Sequence, residues 1–230
     1  MKRNKAILVV ALSLVLLAVA APSHAVPMLR LTADGTTSVT ITDQVVGVGG
    51  DANPLVGAIT FVGTVGIFDI NMTTALTKPI LGSAGSPSMV LTSSDSSTTA
   101  VGSHSLVVEF SEIGFGPVNS SFRLGMTGGT SIGTDVLYEA FLDTANGNFP
   151  TATALGSVGP LIGPAFSGSA TSSQIALAGP FSLNERVTIN ITGPASTTFN
   201  ATLAVPEPGL LLLLGTGLLT VGFLGSRLNG

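Results

Sequence analysis

The sequence predicts an all-β protein: an antiparallel β-sandwich ectodomain flanked by an N-terminal signal-peptide helix and a C-terminal single transmembrane helix. Three observations carry this. Apolar and polar residues alternate with period two in several segments, the mark of strands with one buried face. Clusters of Gly, Ser, Asn and Pro separate those segments, with no helical run between them. Both ends of the chain hold uncharged apolar runs beside basic residues.

At the start, Lys2, Arg3 and Lys5 precede an apolar run from Ala6 to Ala21, followed by Ser23-His24-Ala25. This order is that of a secretory signal peptide, and the small residues Ser23 and Ala25 suit a signal peptidase cutting after Ala25. Residues 1–25 are therefore set apart from the fold, with signal peptidase and the secretion machinery as the implied partners. Residues 26–204 are long enough for one domain with a sizeable core. In it Arg30, Lys78, Arg123 and Arg186 face eleven acids, a net charge of −7 that argues against a basic nucleic-acid-binding face. Cysteine is absent, which excludes disulfides and thiolate chemistry. The charged fraction is only 9%, yet the mean hydropathy of +0.62 is far above that of disordered chains.

Along the domain, Val39 and Ile41 alternate with Ser38, Thr40 and Thr42, and Phe68, Ile70 and Met72 with Asp69, Asn71 and Thr73. In "SLVVEFSEI", Leu106, Val108 and Phe110 share a face opposite Val107, Glu109 and Ser111. "VLYEAFLD" is apolar on both sides, as in a strand covered on two faces. "RVTINITGPASTTFNATLAV" sets Val187, Ile189 and Ile191 before Gly193-Pro194 and Phe199, Ala201 and Leu203 after it, which reads as a hairpin. Turns are expected at Asp34-Gly35, Gly49 to Asp51, Gly82 to Pro87, Ser93 to Ser97, Gly128-Gly129, Asn146 to Asn148 and Gly156 to Gly168. The stretch from Gly156 to Ser173 reads as an extended loop over one edge of the sandwich.

The last element, residues 205–230, begins at Val205-Pro206-Glu207-Pro208. From Pro208 to Ser226 there are 19 uncharged residues. As a helix these span roughly 28 Å, enough to cross a bilayer core of about 30 Å. The run is apolar all round, with no polar stripe for water. Arg227 flanks it, and basic flanks stay in the cytoplasm, which places the middle of the chain on the far side of the membrane. The prolines hold Val205 to Pro208 extended as a strip open to a processing enzyme, although Pro-Glu-Pro is also compatible with simple punctuation of a helix start.

The order of Val205-Pro206-Glu207-Pro208, apolar span and Arg227 resembles the PEP-CTERM sorting signal of bacterial exported proteins. The resemblance covers about residues 204–230, and the single Arg227 departs from the arginine cluster common in that family. It implies an exosortase as partner, an inner-membrane-anchored precursor processed near the motif, and a cell-surface or extracellular destination associated with exopolysaccharide and biofilm.

Little in the domain points to catalysis. His104 is its only histidine, and Gly129-Thr130-Ser131-Ile132-Gly133 matches a nucleophile-elbow pattern, but a strand pattern follows Ser131 where the elbow needs a helix. His104 reads as a surface or turn residue. Glu109 and Glu112, three apart on a strand, fall on opposite faces and read as solvated edge charges. Asp34, Asp43 and Asp51 are scattered over turns without the clustering that calcium needs, although a structural calcium stays open. Tyr138 shares a face with Val136 and Ala140 and reads as core. The Asn-x-Ser/Thr triplets at Asn71, Asn119, Asn190 and Asn200 read as wet strand faces. No catalytic residue, metal ligand or cofactor is assigned. The expected function is that of a non-enzymatic exported surface or matrix protein. The alternative is a polysaccharide-, calcium- or ice-binding adhesin-like module, whose many Ser and Thr residues would form a flat hydroxylated surface.

Overall fold

A computed structural model describes residues 26–47 and 50–206. The predicted signal peptide with Ser23 and Ala25, and Glu207, Pro208, the apolar span and Arg227, lie outside the described residues. Among the described residues no helix is long and apolar enough to cross a membrane.

The described chain forms β1 (Met28–Ala33), β2 (Thr37–Thr42), β3 (Ala58–Val65), β4 (Phe68–Leu76), β5 (Ser88–Thr98), β6 (His104–Phe115) and β7 (Val118–Ser120). It continues through β8 (Arg123–Thr130), β9 (Thr134–Asp143), β10 (Thr153–Ile162), β11 (Phe166–Thr171), β12 (Ile175–Leu177), β13 (Phe181–Ile191) and β14 (Ala195–Ala204). Two six-stranded antiparallel sheets result, β10-β9-β13-β6-β1-β2 and β11-β8-β14-β5-β4-β3, with a small β12-β7 pair beside them. The all-β sandwich expected from the alternation is thus the architecture observed.

The period-two faces meet between the sheets. Leu29, Leu31, Leu106, Val108, Phe110 and Val187 of the first sheet and Met89, Leu91, Leu124, Ala201 and Leu203 of the second have essentially no exposure. Near one end Phe181 lies 5.9 Å from Phe115 and edge-on to Phe122 at 6.3 Å. Burial of such side chains, at about 1.5–3 kcal/mol each, is the main stabilising contribution in a chain without disulfides.

Several local expectations change in three dimensions. β13 and β14 are not a hairpin: β13 pairs with β6 and β9, and β14 with β8 and β5. The chain crosses from sheet to sheet at Gly193-Pro194, so the two apolar faces oppose one another across the core. Period two is the same in either arrangement. Met72 does not share the face of Phe68 and Ile70. Phe61 pairs with Thr73 while Gly63 pairs with Ile70, so β4 carries one more residue than β3 there. That bulge turns Met72 outward and Thr73 inward. Ser93 to Ser97 is the interior of β5, where buried Ser93 bonds Ser96 at 2.8 Å and accepts from Thr73 at 3.2 Å. Gly128-Gly129 lies within β8, and Gly156 to Ser173 supplies the edge strands β10 and β11. These polar and Gly-rich stretches become strands because neighbouring ladders take up their backbone groups.

The register defines two ends. The upper end carries the β1–β2, β3–β4, β5–β6, β8–β9, β10–β11 and β13–β14 connections. The lower end carries the β2–β3, β4–β5 and β9–β10 connections, those from β6 through β7 to β8 and from β11 through β12 to β13, and the first and last described residues, Val26 and Pro206. Val205 is buried and its N–H donates to the Pro87 carbonyl at 3.0 Å. Of the strip expected to be exposed from Val205 to Pro208, Val205 is thus buried instead, and Pro206 is exposed. Gly57 joins the two lower connections: it has φ +84°, and an added Cβ would come within 2.4 Å of the Lys78 carbonyl oxygen.

Candidate binding faces

Each sheet has one outer face, and on each face a transverse row of side chains crosses all six strands. In the first sheet the row is Ser157, Glu139, Arg186, Glu109, Arg30 and Thr40, each directly opposite the next. Opposed residues in a sheet sit about 4.5–5.5 Å apart, close enough for charges to pair. Arg30 donates from Nε to Glu109 Oε2 at 2.8 Å and also from Nη2. Arg186 donates from Nε and Nη2 to Oε1 at 3.1 and 2.9 Å, and Asn184 adds an amide donor at 3.3 Å. Phe149 lies 4.1 Å from the Arg30 guanidinium and Phe141 lies 5.3 Å from that of Arg186, cation–π contacts that hold both forks.

Glu109 is therefore not a solvated edge charge. It is 3% exposed on a central strand, enclosed by two arginines from neighbouring strands. Glu112 is fully buried and bonded to Lys78 Nζ at 2.9 Å. Burial pushes Glu112 up to about 7 against the pull of Lys78, and burial also lowers Lys78. The spacing of three does separate the two glutamates, since Glu112 has the strand parity of inward Phe110 and Glu109 the opposite one. Behind the charged row, Tyr138 is core as expected and donates to buried Glu185 Oε1 at 2.7 Å. Burial lifts Glu185 to about 8, which keeps it protonated at neutral pH. Sequence reasoning passed over Glu185; its signal was an acid in phase with Val187, Ile189 and Ile191.

His104 and Ser131 are not joined. His104 Nδ1 pairs with Asp34 Oδ2 at 2.9 Å and Nε2 lies 3.2 Å from the Val101 carbonyl, while Ser131 Oγ donates to the Ser196 carbonyl and β9 follows it. The hydrogen bond to Asp34 raises His104, and the Ser105 N–H followed by His104 lowers Asp34. Asp43 and Asp51 are not scattered but close one loop. Asp43 accepts from the Gly57 N–H, and Asp51 from those of Gln44, Asn53 and Thr60. Among the described residues no three His, Asp or Glu side chains are grouped to hold a metal ion. Asn71, Asn119, Asn190 and Asn200 are all exposed on strands.

In the second sheet the corresponding row is Thr60, Thr74, Thr92, Asn200, Thr127 and Ser167. It contains hydroxyls and one amide and no charge. Five strand spacings of about 4.8 Å give it a length of roughly 24 Å. Thr60 and Thr74 pair at 3.3 Å, and Thr92 donates to Asn200 Oδ1 at 3.0 Å, so parts of the row are held in place. The adjacent row runs through Thr202, Gly125 and Ser169. There an added Cβ on Gly125 would meet Thr202 Oγ1 at 2.8 Å, so glycine keeps the face level. Six segments between residues 60 and 200 contribute to this row, which is why no local motif announces it.

No protein-family model matches the sequence, and no curated protein is similar to it. Among solved structures, the chain is similar to TmCBM61 in complex with β-1,4-galactotriose, at TM-score 0.35 and 8% identity over 57% of this chain and 87% of that one. It is also similar to the C-terminal CBM6 of LamC from Zobellia galactanivorans, at TM-score 0.26 and 14% identity over 56% and 86%. A third likeness, to the infectious bursal disease virus Gx strain, has TM-score 0.32 and 8% identity over 83% and 54%. Likenesses this distant carry no ligand or activity over to this chain. The definable class is a two-sheet antiparallel β-sandwich, established by its own strand pairing.

Proposed function

We propose that this is an exported, non-enzymatic surface or matrix protein that contacts neutral polysaccharide through the outer face of its second sheet. The observation that carries the reading is the uncharged row from Thr60 to Ser167. A level array of hydroxyl and amide groups exchanges hydrogen bonds with sugar hydroxyls without desolvating a charge. Trp is absent, the one Tyr is buried and none of the described phenylalanines is exposed, so no aromatic platform among the described residues strengthens the contact. Single-chain affinity is accordingly low, and retention comes from many chains on one polymer. Export and anchoring are supported by the two sequence ends: the signal peptide cut after Ala25, and the stretch from Val205 to Arg227 as an exosortase sorting signal.

Co-sedimentation of the full chain with insoluble β-glucan and galactan, against a Thr92→Asp/Thr127→Asp variant, tests the face. Wild-type retention lost in the variant is expected; equal retention, or none by the wild type, refutes it. Ice-growth inhibition by the wild type without polysaccharide retention would favour an ice-binding face instead. Mass spectrometry of protein from membranes and medium tests sorting, and a terminal peptide persisting past Pro208 in every fraction rules out processing there.

A further inference from the structure

We propose that the lower end of the sandwich carries an apolar lip that enters the lipid interface beside the point where the chain leaves the domain; this rests on reading residues 208–226 as a membrane span. In the β2–β3 connection Val45, Val46, Leu55 and Val56 are 57, 80, 59 and 41% exposed, and in the β4–β5 connection Ile80 is 46% exposed. The two connections are tied together. The Thr77 N–H donates to the Gly57 carbonyl at 2.9 Å, and the Gly57 N–H donates to Asp43 at 2.8 Å. The exit strand is tied to the same place through Val205 and Pro87.

The position of the chain outside the structure selects the occupant. Only Glu207 separates Pro206 from the uncharged run that starts at Pro208. At about 3.3–3.6 Å per residue, such a link cannot lift the lower end clear of the headgroups. Charge distribution agrees. The lower-end acids Asp43 and Asp51 are 4% exposed and bonded to backbone N–H groups, and Asp143 turns onto the N–H groups of Ala145 and Gly147. Lys78 folds onto Glu112. Exposed Asp34 and Asp69 lie at the upper end, away from the bilayer. Lowering the lip among headgroups thus strips water from apolar side chains and, among the described residues, from no unpaired acid. The upper end also exposes Ile67, Val101, Ile132 and Ile162, but singly, at the β3–β4, β5–β6 and β8–β9 connections and the end of β10.

The chain contains no tryptophan, so Val46→Trp, Leu55→Trp and Val101→Trp each install a single reporter. Full-length protein is reconstituted into phosphatidylethanolamine–phosphatidylglycerol vesicles with and without brominated acyl chains. The expected result is blue-shifted emission and at least twofold quenching at positions 46 and 55, with position 101 unaffected. Protein that floats with vesicles while positions 46 and 55 remain unquenched overturns the lip and leaves the span standing. A blue shift at these positions without quenching assigns the patch to a second copy and overturns the lip as well. Protein that does not float with vesicles removes the span, and the lip with it.

Discussion

The two outer faces share one topology and one core yet carry opposite chemistry. On the first sheet the transverse row runs Glu139, Arg186, Glu109, Arg30, and its central carboxylate is consumed by two arginines that phenylalanines hold in place. On the second sheet the same position in the layer is a run of hydroxyls and one amide, in which Thr60 pairs with Thr74 and Thr92 donates to Asn200, with no charge in the row. The difference teaches where to look for function. A charge enclosed by its partners on neighbouring strands contributes to holding those strands in register, whereas side chains with unused donors and acceptors can take an external ligand.

The sharpest test removes the centre of each row. Glu109→Ala leaves Arg30 and Arg186 facing each other, and we expect a loss of about 2–4 kcal/mol in urea unfolding, with an unchanged m-value. Asn200→Ala, at the matching place on the other sheet, should cost under about 0.5 kcal/mol. Equal losses would dissolve the distinction between the faces.

The next effect lies behind the charged sheet. Glu185 is held at about 8 and Glu112 at about 7, both above their ordinary value of 4.5, so the folded state keeps protons that the unfolded chain releases. Stability from these groups is full below about pH 4.5 and is lost as the pH rises through 7 to 8. The melting temperature should therefore fall between pH 5 and 8.5. Glu185→Gln should flatten that slope and raise stability at pH 8.5 by on the order of 2 kcal/mol. A wild-type protein equally stable at both pH values would contradict the buried acids.

Smaller still is the stability effect of charging the hydroxyl face. Thr92→Asp/Thr127→Asp should shift unfolding by less than about 1 kcal/mol while abolishing polysaccharide retention, so that binding and stability separate. Smallest is the Asp34–His104 pair at the upper end. NMR titration should place His104 above the ordinary 6.5, and Asp34→Asn should bring it down with no measurable change in stability. An unmoved titration would mean the pair does not persist in solution.

Much of the fold was legible in the sequence because period-two alternation is a local property. Leu106, Val108 and Phe110, and likewise Phe199, Ala201 and Leu203, declare an inward face whatever their neighbours are. Tyr138 was legible for the same reason. The apparent hairpin across Gly193-Pro194 was not, because the pattern is identical whether two strands pair or oppose each other across a core. The serines of β5 and the glycines of β8 and β10 look like turns until adjacent strands claim their backbone groups. Glu109 looked solvated because Arg30 and Arg186 are 79 and 77 residues away in sequence.

By itself the sequence determined the class of the domain: an acidic, cysteine-free chain of alternating strands, with uncharged apolar runs at residues 6–21 and 208–226. These follow from composition and from spacings of a few residues, which any part of the chain displays alone. Only the tertiary structure decided which strands pair and in what register. That register placed Glu109 between two arginines and drew Thr60, Thr74, Thr92, Asn200, Thr127 and Ser167 into one line. A transverse row belongs to no segment; it exists only once ladder hydrogen bonds have fixed which residue of each strand lies opposite which.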